Sequence, residues 1–313
     1  MISATPPSGR SPPSSTPECD DVKRARLLSL LLCLLFAAGL VSAQQTASVE
    51  FYARDADQPL NAEVTTFGDT EACTVYHVLL DSTNGQRVPA LVGIPKTGEK
   101  PYPLIMLQHG LGGDKNAEYV RLPALELAKQ GYATLRIDAH SHGERAPAAA
   151  QGDMIARVFG MIQSGGWAQS VVDMRRGLDY CATRDDIDLD RVGYMGVSMG
   201  AIMGGVLCGV EDRVDAAVLM LGGSLGAFSA FMPGLLDPVD PANYIANFAP
   251  RPLLMLNGKQ DPLIVPAAAQ RLYDAAKDPK KIVWYDTGHT LPPDEAIAEV
   301  SAFLSEHVPT VKP

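Results

Sequence analysis

Six nearly continuous apolar runs, each followed by a turn and then by a longer stretch of helical spacing, constrain this chain more than any other feature. They are Pro103–Gln108, Tyr132–Asp138, Val192–Val197, Ala216–Leu221, Pro252–Asn257 and Lys281–Asp286. A strand wetted on one face alternates apolar and polar residues, whereas runs apolar throughout suit parallel strands covered on both faces. Tyr119–Lys129, Ala168–Cys181 and Pro266–Lys277 supply the helical stretches between them. Strand and helix in alternation predict an α/β fold with right-handed crossovers. Upstream, Thr74–Leu80 and Arg87–Ile94 flank Asn84-Gly85, so the domain is expected to open with antiparallel strands. Residues 44–313 contain no low-complexity linker or internal repeat and suit a single domain.

The 43 residues before that domain read differently. Residues 1–21 are rich in Pro and Ser and are expected to be a disordered extension. Residues 22–43 place Lys23, Arg24 and Arg26 before an apolar run from Leu27 to Val41, closed by Val41-Ser42-Ala43. A basic start, an apolar middle and a small-residue exit predict a signal peptide cleaved after Ala43, hence export to the periplasm or beyond. The run is too short to span a bilayer comfortably, so no stable membrane span is expected after cleavage. The long polar stretch ahead of the basic residues suggests translation from Val22 read as a GTG start, which a precursor peptide from residues 1–20 would refute.

Charge and cysteine count narrow the function further. The net charge of −10 repels phosphate backbones, and nucleic acid is not an expected partner. Removing residues 1–43 takes four basic and three acidic residues, leaving 22 against 33, or −11. The five cysteines show no CxxC spacing, which excludes zinc ribbons and dense disulfide scaffolds. Cys73, Cys181 and Cys208 remain after cleavage, and the sequence assigns no pairing among them. Nor does it assign an oligomeric state.

In open α/β sheets ligands bind beyond the carboxyl ends of the strands. Those positions here hold His109-Gly110-Leu111-Gly112-Gly113, Asp138 with His142-Gly143, Gly196-Val197-Ser198-Met199-Gly200, Asp261 and Gly288-His289. G-x-S-x-G marks a serine on a strained strand-to-helix turn, where flanking side chains would collide with strand and helix. The pattern occurs twice, at Gly196–Gly200 and at Gly222–Gly226. Ser198 precedes a helix rich in small residues, whereas Pro233 halts any helix after Ser224 within two turns. Ser198 is therefore read as the nucleophile and Ser224 as a loop serine near the pocket. Serine needs a base oriented by a carboxylate; His289 and Asp261, after consecutive strands, are assigned these roles, with Asp286 as the rival acid. The backbone N–H groups of Leu111 and Met199 are the expected oxyanion hole. His109 is read as a brace for its own loop.

Together QHGLGG (108–113), DAHSHGER (138–145), GVSMGA (196–201), NGKQDPLIVP (257–266) and DTGHTLP (286–292) resemble the α/β-hydrolase superfamily. The narrower resemblance is to its dienelactone-hydrolase-like and bacterial carboxylesterase branch, with Ser198 where dienelactone hydrolases themselves carry cysteine. The resemblance implies an eight-stranded, mostly parallel sheet flanked by helices, and hydrolysis of a small-molecule ester through an acyl-enzyme. Peptidase or acyltransferase activity with the same residues, or a binding role on a hydrolase scaffold, are the alternatives. His140 and His142 form an H-x-H pair with no further ligand pattern, so neither metal nor cofactor is expected. Residues 146–166 and 224–250 are expected to shape the acyl pocket or a lid.

Overall fold

In the computed structural model, residues 48–147, 154–226 and 234–311 are described. The leader expected over residues 1–43, and residues 148–153 and 227–233 of the two lid segments, lie outside them. Nine strands form one sheet: β1 Glu63–Asp69, β2 Cys73–Asp81, β3 Arg87–Pro95, β4 Tyr102–Gln108, β5 Ala133–Ile137, β6 Ile187–Val197, β7 Ala216–Met220, β8 Leu253–Gly258 and β9 Lys280–Tyr285. Their spatial order is β1-β2-β3-β5-β4-β6-β7-β8-β9. The first three strands and the β3–β5 pair are antiparallel, and every pairing from β5 to β9 is parallel. At the β2–β3 corner Asn84 and Gly85 adopt left-handed φ values of 57° and 67°, as the Asn-Gly pair predicts.

Six helices accompany the sheet among the described residues: α1 Glu118–Lys129, α2 Met154–Gln163, α3 Gly166–Cys181, α4 Met199–Val210, α5 Pro266–Ala275 and α6 Pro293–His307. Successive side chains of β4 divide between two cores. Leu104 and Met106 pack with Leu178 of α3, Met203 of α4 and Leu272 of α5. Ile105 and Leu107 pack with Val120 and Leu127 of α1 and Val300 of α6. All seven residues of β4 are buried, which is why its sequence shows no alternation.

The sheet has one strand more than the eight the resemblance implies. The addition, β1, is an edge strand, exposed along nearly all its length and bulged between Thr66 and Gly68. Bulges of this kind blunt an open edge.

Strand order reverses around β4. Its crossover through α1 leads to β5 on one side, and the return through α2 and α3 leads to β6 on the other. The segments leaving the carboxyl ends of β4 and β6 therefore diverge to opposite faces and leave a crevice between them.

Candidate active site

The crevice is bordered by the turn after β4 and the bend between β6 and α4. Ser198 occupies that bend alone, with φ 54° and ψ −114°. A non-glycine residue there carries strain on the order of 1–3 kcal/mol and persists only where its surroundings hold it. The Ser198 N–H donates to Met220 O at 2.8 Å, and its carbonyl accepts the Ile202 N–H at 3.0 Å. A Cβ on Gly196 would run into the Gly200 backbone, and one on Gly200 into Gln108 O, so both flanking positions admit only hydrogen.

Asp261 and His289 follow β8 and β9, whose outgoing segments are joined by Lys259 N–H to Tyr285 O at 2.8 Å and Gln260 N–H to Thr287 O at 3.0 Å. The Asp261 side chain is fully buried. Its Oδ1 accepts the N–H groups of Leu263 and Ile264 at 2.8 and 2.9 Å, which leaves Oδ2 for His289 Nδ1 at 2.7 Å. His289 Nε2 lies 2.9 Å from Ser198 Oγ. A buried carboxylate thus fixes which imidazole nitrogen carries the proton and leaves the other to accept from the serine.

The turn after β4 comes up against Ser198. A Cβ on Gly110 would stand 3.3 Å from Val197 O and 3.4 Å from Ser198 Cβ. Gly110 O accepts from His109 Nδ1 at 2.8 Å and from Gly113 N at 3.1 Å, while His109 Nε2 accepts the Ala139 N–H at 3.1 Å. His109 is a brace, as its sequence suggests. Burial holds its pKa down at about 4, with the hydrogen bond to Gly110 opposing, so the ring is neutral. The N–H groups of Leu111 and Met199 have no acceptor among the described hydrogen bonds; Met199 adjoins the serine in sequence, and Leu111 follows Gly110, which packs against it.

The sequence profile of the dienelactone hydrolase family matches residues 88–302, well over half of the chain. The chain belongs to the dienelactone hydrolase family. Among curated proteins this family member is 29% identical over 232 residues to the putative hydrolase YtaP of Bacillus subtilis, covering 66% of this chain and 76% of that one. Among solved structures it is similar to an acetyl xylan esterase from Paenibacillus sp. R4, with a TM-score of 0.67, 21% identity, and 79% and 89% of the two chains covered. Acetyl xylan esterase 1 from Thermoanaerobacterium sp. JW/SL YS485 gives a TM-score of 0.69 at 17% identity, covering 84% and 95%. The fold is that of the α/β-hydrolases, and this dienelactone hydrolase family member is a hydrolase.

The structure separates the two serines of the sequence. Ser224 is buried, donates to Asp240 Oδ2 at 2.9 Å and accepts the Gly226 N–H at 3.0 Å, with no imidazole bonded to it. Asp286, the rival acid, is exposed and pairs with Lys259 at 2.8 Å. Asp138, in the DAHSHGER segment, is fully buried and takes the Lys115 ammonium at 2.6 Å and the N–H groups of Lys115 and Glu144 at 2.8 and 2.9 Å. Asp138 is thus the buried anchor of that segment, whose Gly143 and Glu144 are exposed. His140 Nδ1 meets Ser141 Oγ at 2.8 Å, and His142 Nδ1 meets His140 O at 2.9 Å. Cys73, Cys181 and Cys208 are buried free thiols, and burial pushes the last two up to about 12.

A cavity of about 200 Å³ adjoins the turn after β4, lined by Leu111, Ser141, His142 and Pro147 and by Ala156, Arg157, Gly160, Met161 and Ser164. Part of the expected 146–166 segment is thus a pocket wall. A second depression, of about 240 Å³, lies at the start of β8 and β9 and beside α6, the opposite end of the sheet from Ser198. Sequence reasoning missed Lys115 and Tyr119, whose positions in a loop and an exposed helical turn carry no periodic signal.

Proposed function

We propose that the protein is a serine carboxylic-ester hydrolase acting on small to medium acyl esters through an acyl-enzyme. The observation that carries this reading is the continuous hydrogen-bonded series from buried Asp261 through His289 to Ser198, set beside two free backbone amides. Ser198 Oγ attacks the ester carbonyl as His289 Nε2 takes its proton. The carbonyl oxygen, now an anion, is held by the N–H groups of Leu111 and Met199. As the tetrahedral adduct collapses, His289 returns the proton to the departing alcohol and the acyl group remains on Ser198. Water, deprotonated by His289, then releases the acid. Asp261 holds the imidazole in the required tautomer and stabilises its cation.

Two further observations support a short acyl group. The cavity beside Leu111 is smaller than the roughly 300–1,000 Å³ typical of drug-sized ligands, and the similar solved structures include acetyl xylan esterases. The leader composition supports export, and no helix among the described residues is long and apolar enough to cross a membrane. Mass measurement of the mature amino terminus tests that part, with Gln44 the expected first residue.

The decisive test is hydrolysis of p-nitrophenyl esters from acetate to palmitate, together with labelling by a fluorophosphonate. Rapid turnover of the short esters and a single adduct on Ser198 are expected. Turnover of amides in preference to esters, or alcohol acceptors outcompeting water, would move the assignment to a peptidase or an acyltransferase. Folded protein that neither turns over esters nor labels would sink the reading.

A further inference from the structure

The Leu111 N–H belongs to the Gly110–Leu111 peptide, so its direction depends on how Gly110 is held. A trans peptide sets C=O and N–H antiparallel, and anchoring Gly110 O therefore aims the Leu111 N–H. His109 and Gly113 supply that anchor on one side of the Gly110 Cα. Glycine rotates freely about both its backbone bonds, so one anchored peptide plane leaves the other free to swing. The second plane is held by one side chain: the Gly110 N–H donates to Tyr119 Oη at 3.0 Å.

Tyr119 sits in the first turn of α1, on the rigid body of the fold, and the residue is 45% exposed. The point where a Gly110 Cβ would stand lies 3.6 Å from Tyr119 Oη and 3.4 Å from Ser198 Cβ, so the phenol and the serine border the same space over Gly110. Gly113 makes room for this contact, because a Cβ there would run into Tyr119 Oη.

We propose that Tyr119 is a positioning residue for the oxyanion hole: through its hydrogen bond to Gly110 it fixes the turn that presents the Leu111 N–H to the substrate. The inference rests on Ser198 being the nucleophile and Leu111 a donor to the oxyanion. Its effect falls on the transition state, where the carbonyl oxygen becomes an anion, and little on ground-state binding. Burial of the hydroxyl and the nearby Asp114 carboxylate raise its pKa, so it stays a phenol at neutral pH.

The test compares the full chain with Tyr119→Phe and Gly113→Ala. In Tyr119→Phe, kcat is expected to fall about 10- to 100-fold with KM within about twofold, since loss of a direct oxyanion donor costs on the order of 10²–10³ and this effect is indirect. The inhibition constant of phenylboronic acid, which forms a tetrahedral adduct on serine, rises by the same factor. Gly113→Ala displaces the phenol and gives a similar loss, and the double variant is no worse than either alone. A positioning role is excluded if kcat of Tyr119→Phe equals that of the parent, if KM alone rises, or if the boronate binds both equally well. Fluorophosphonate labelling of the parent keeps the two readings apart: labelled Ser198 with an unaffected Tyr119→Phe overturns the role of Tyr119 alone, whereas an unlabelled parent overturns the serine mechanism itself.

Discussion

Ser198 and Ser224 sit in the same five-residue pattern, each just beyond an apolar strand, and the fold gives them opposite environments. Ser198 is forced to positive φ, with glycines on both sides facing backbone atoms, and its hydroxyl meets an imidazole. Ser224 has no positive φ, and its hydroxyl is consumed by Asp240 and Gly226. A hydroxyl already satisfied inside the protein cannot be activated without losing that bond. The spacing of glycines thus admits a sharp bend, but what the flanking glycines face and what the serine oxygen touches determine its chemistry.

The comparison breaks most visibly under truncation of the two serines. Ser198→Ala is expected to lower kcat by roughly 10⁴ or more, whereas Ser224→Ala keeps kcat within about threefold and costs about 1–2 kcal/mol of stability, read from urea midpoints. Full activity in Ser198→Ala with loss in Ser224→Ala would reverse the assignment. The carboxylates come next. Asp261→Asn should cost about 10⁴ in kcat, because the imidazole loses its oriented tautomer. Asp240→Ala, which frees Ser224 Oγ and the Leu225 and Ala242 N–H groups, should leave turnover per folded molecule unchanged while lowering the thermal midpoint.

The glycines sharpen the contrast in packing. Gly200→Ala drives a methyl group into the Gln108 and His109 carbonyls and should cost about 3 kcal/mol or more. At Gly226 the nearest atoms to an added carbon belong to the Arg271 guanidinium, a movable tip, and Gly226→Ala should cost less than about 1 kcal/mol. Denaturant titration of the two variants decides it. The contrast also extends to pH. His109, braced beside the Ser198 bend, has its pKa lowered from 6.5 to about 4, so below 6.5 the unfolded chain binds the proton more readily. Its stabilising contribution is complete above that pH and is lost as pH falls toward 4, by about 3 kcal/mol at most. Burial also lowers His140 and His142, which adds to the same slope. His109→Gln should flatten the dependence of the urea midpoint between pH 6.5 and 4, while Ser224→Ala should leave it unaltered.

The fully buried strands were legible because burial on both faces writes itself as an unbroken apolar run, and β4, β7 and β8 match their expected spans within a residue or two. Ser198 and Asp261 were legible because each follows such a run; His289 follows the edge strand β9, which is only partly buried but keeps the apolar stretch Ile282–Tyr285. The strand β1 was not: Glu63–Asp69 is exposed on both faces and offers no alternation. Nor was the first part of β6, where Asp188, Asp190 and Arg191 precede the apolar run and Asp188 pairs with Arg191. Tyr119 escaped because its partner is a backbone amide, which has no side-chain signature. The direction of the pocket depends on α2, whose apolar spacing suits a core helix and a cavity wall equally.

The division of labour around the crevice also has an engineering consequence. Ser198, Asp261, His289 and the two amides all stand in segments leaving the carboxyl ends of sheet strands, whereas much of the cavity wall comes from a single excursion between β5 and α3. Exchanging side chains of α2 at Ala156, Gly160 or Met161 is expected to alter which esters are turned over, while the bonds among Ser198, His289 and Asp261, made elsewhere in the fold, stay as they are.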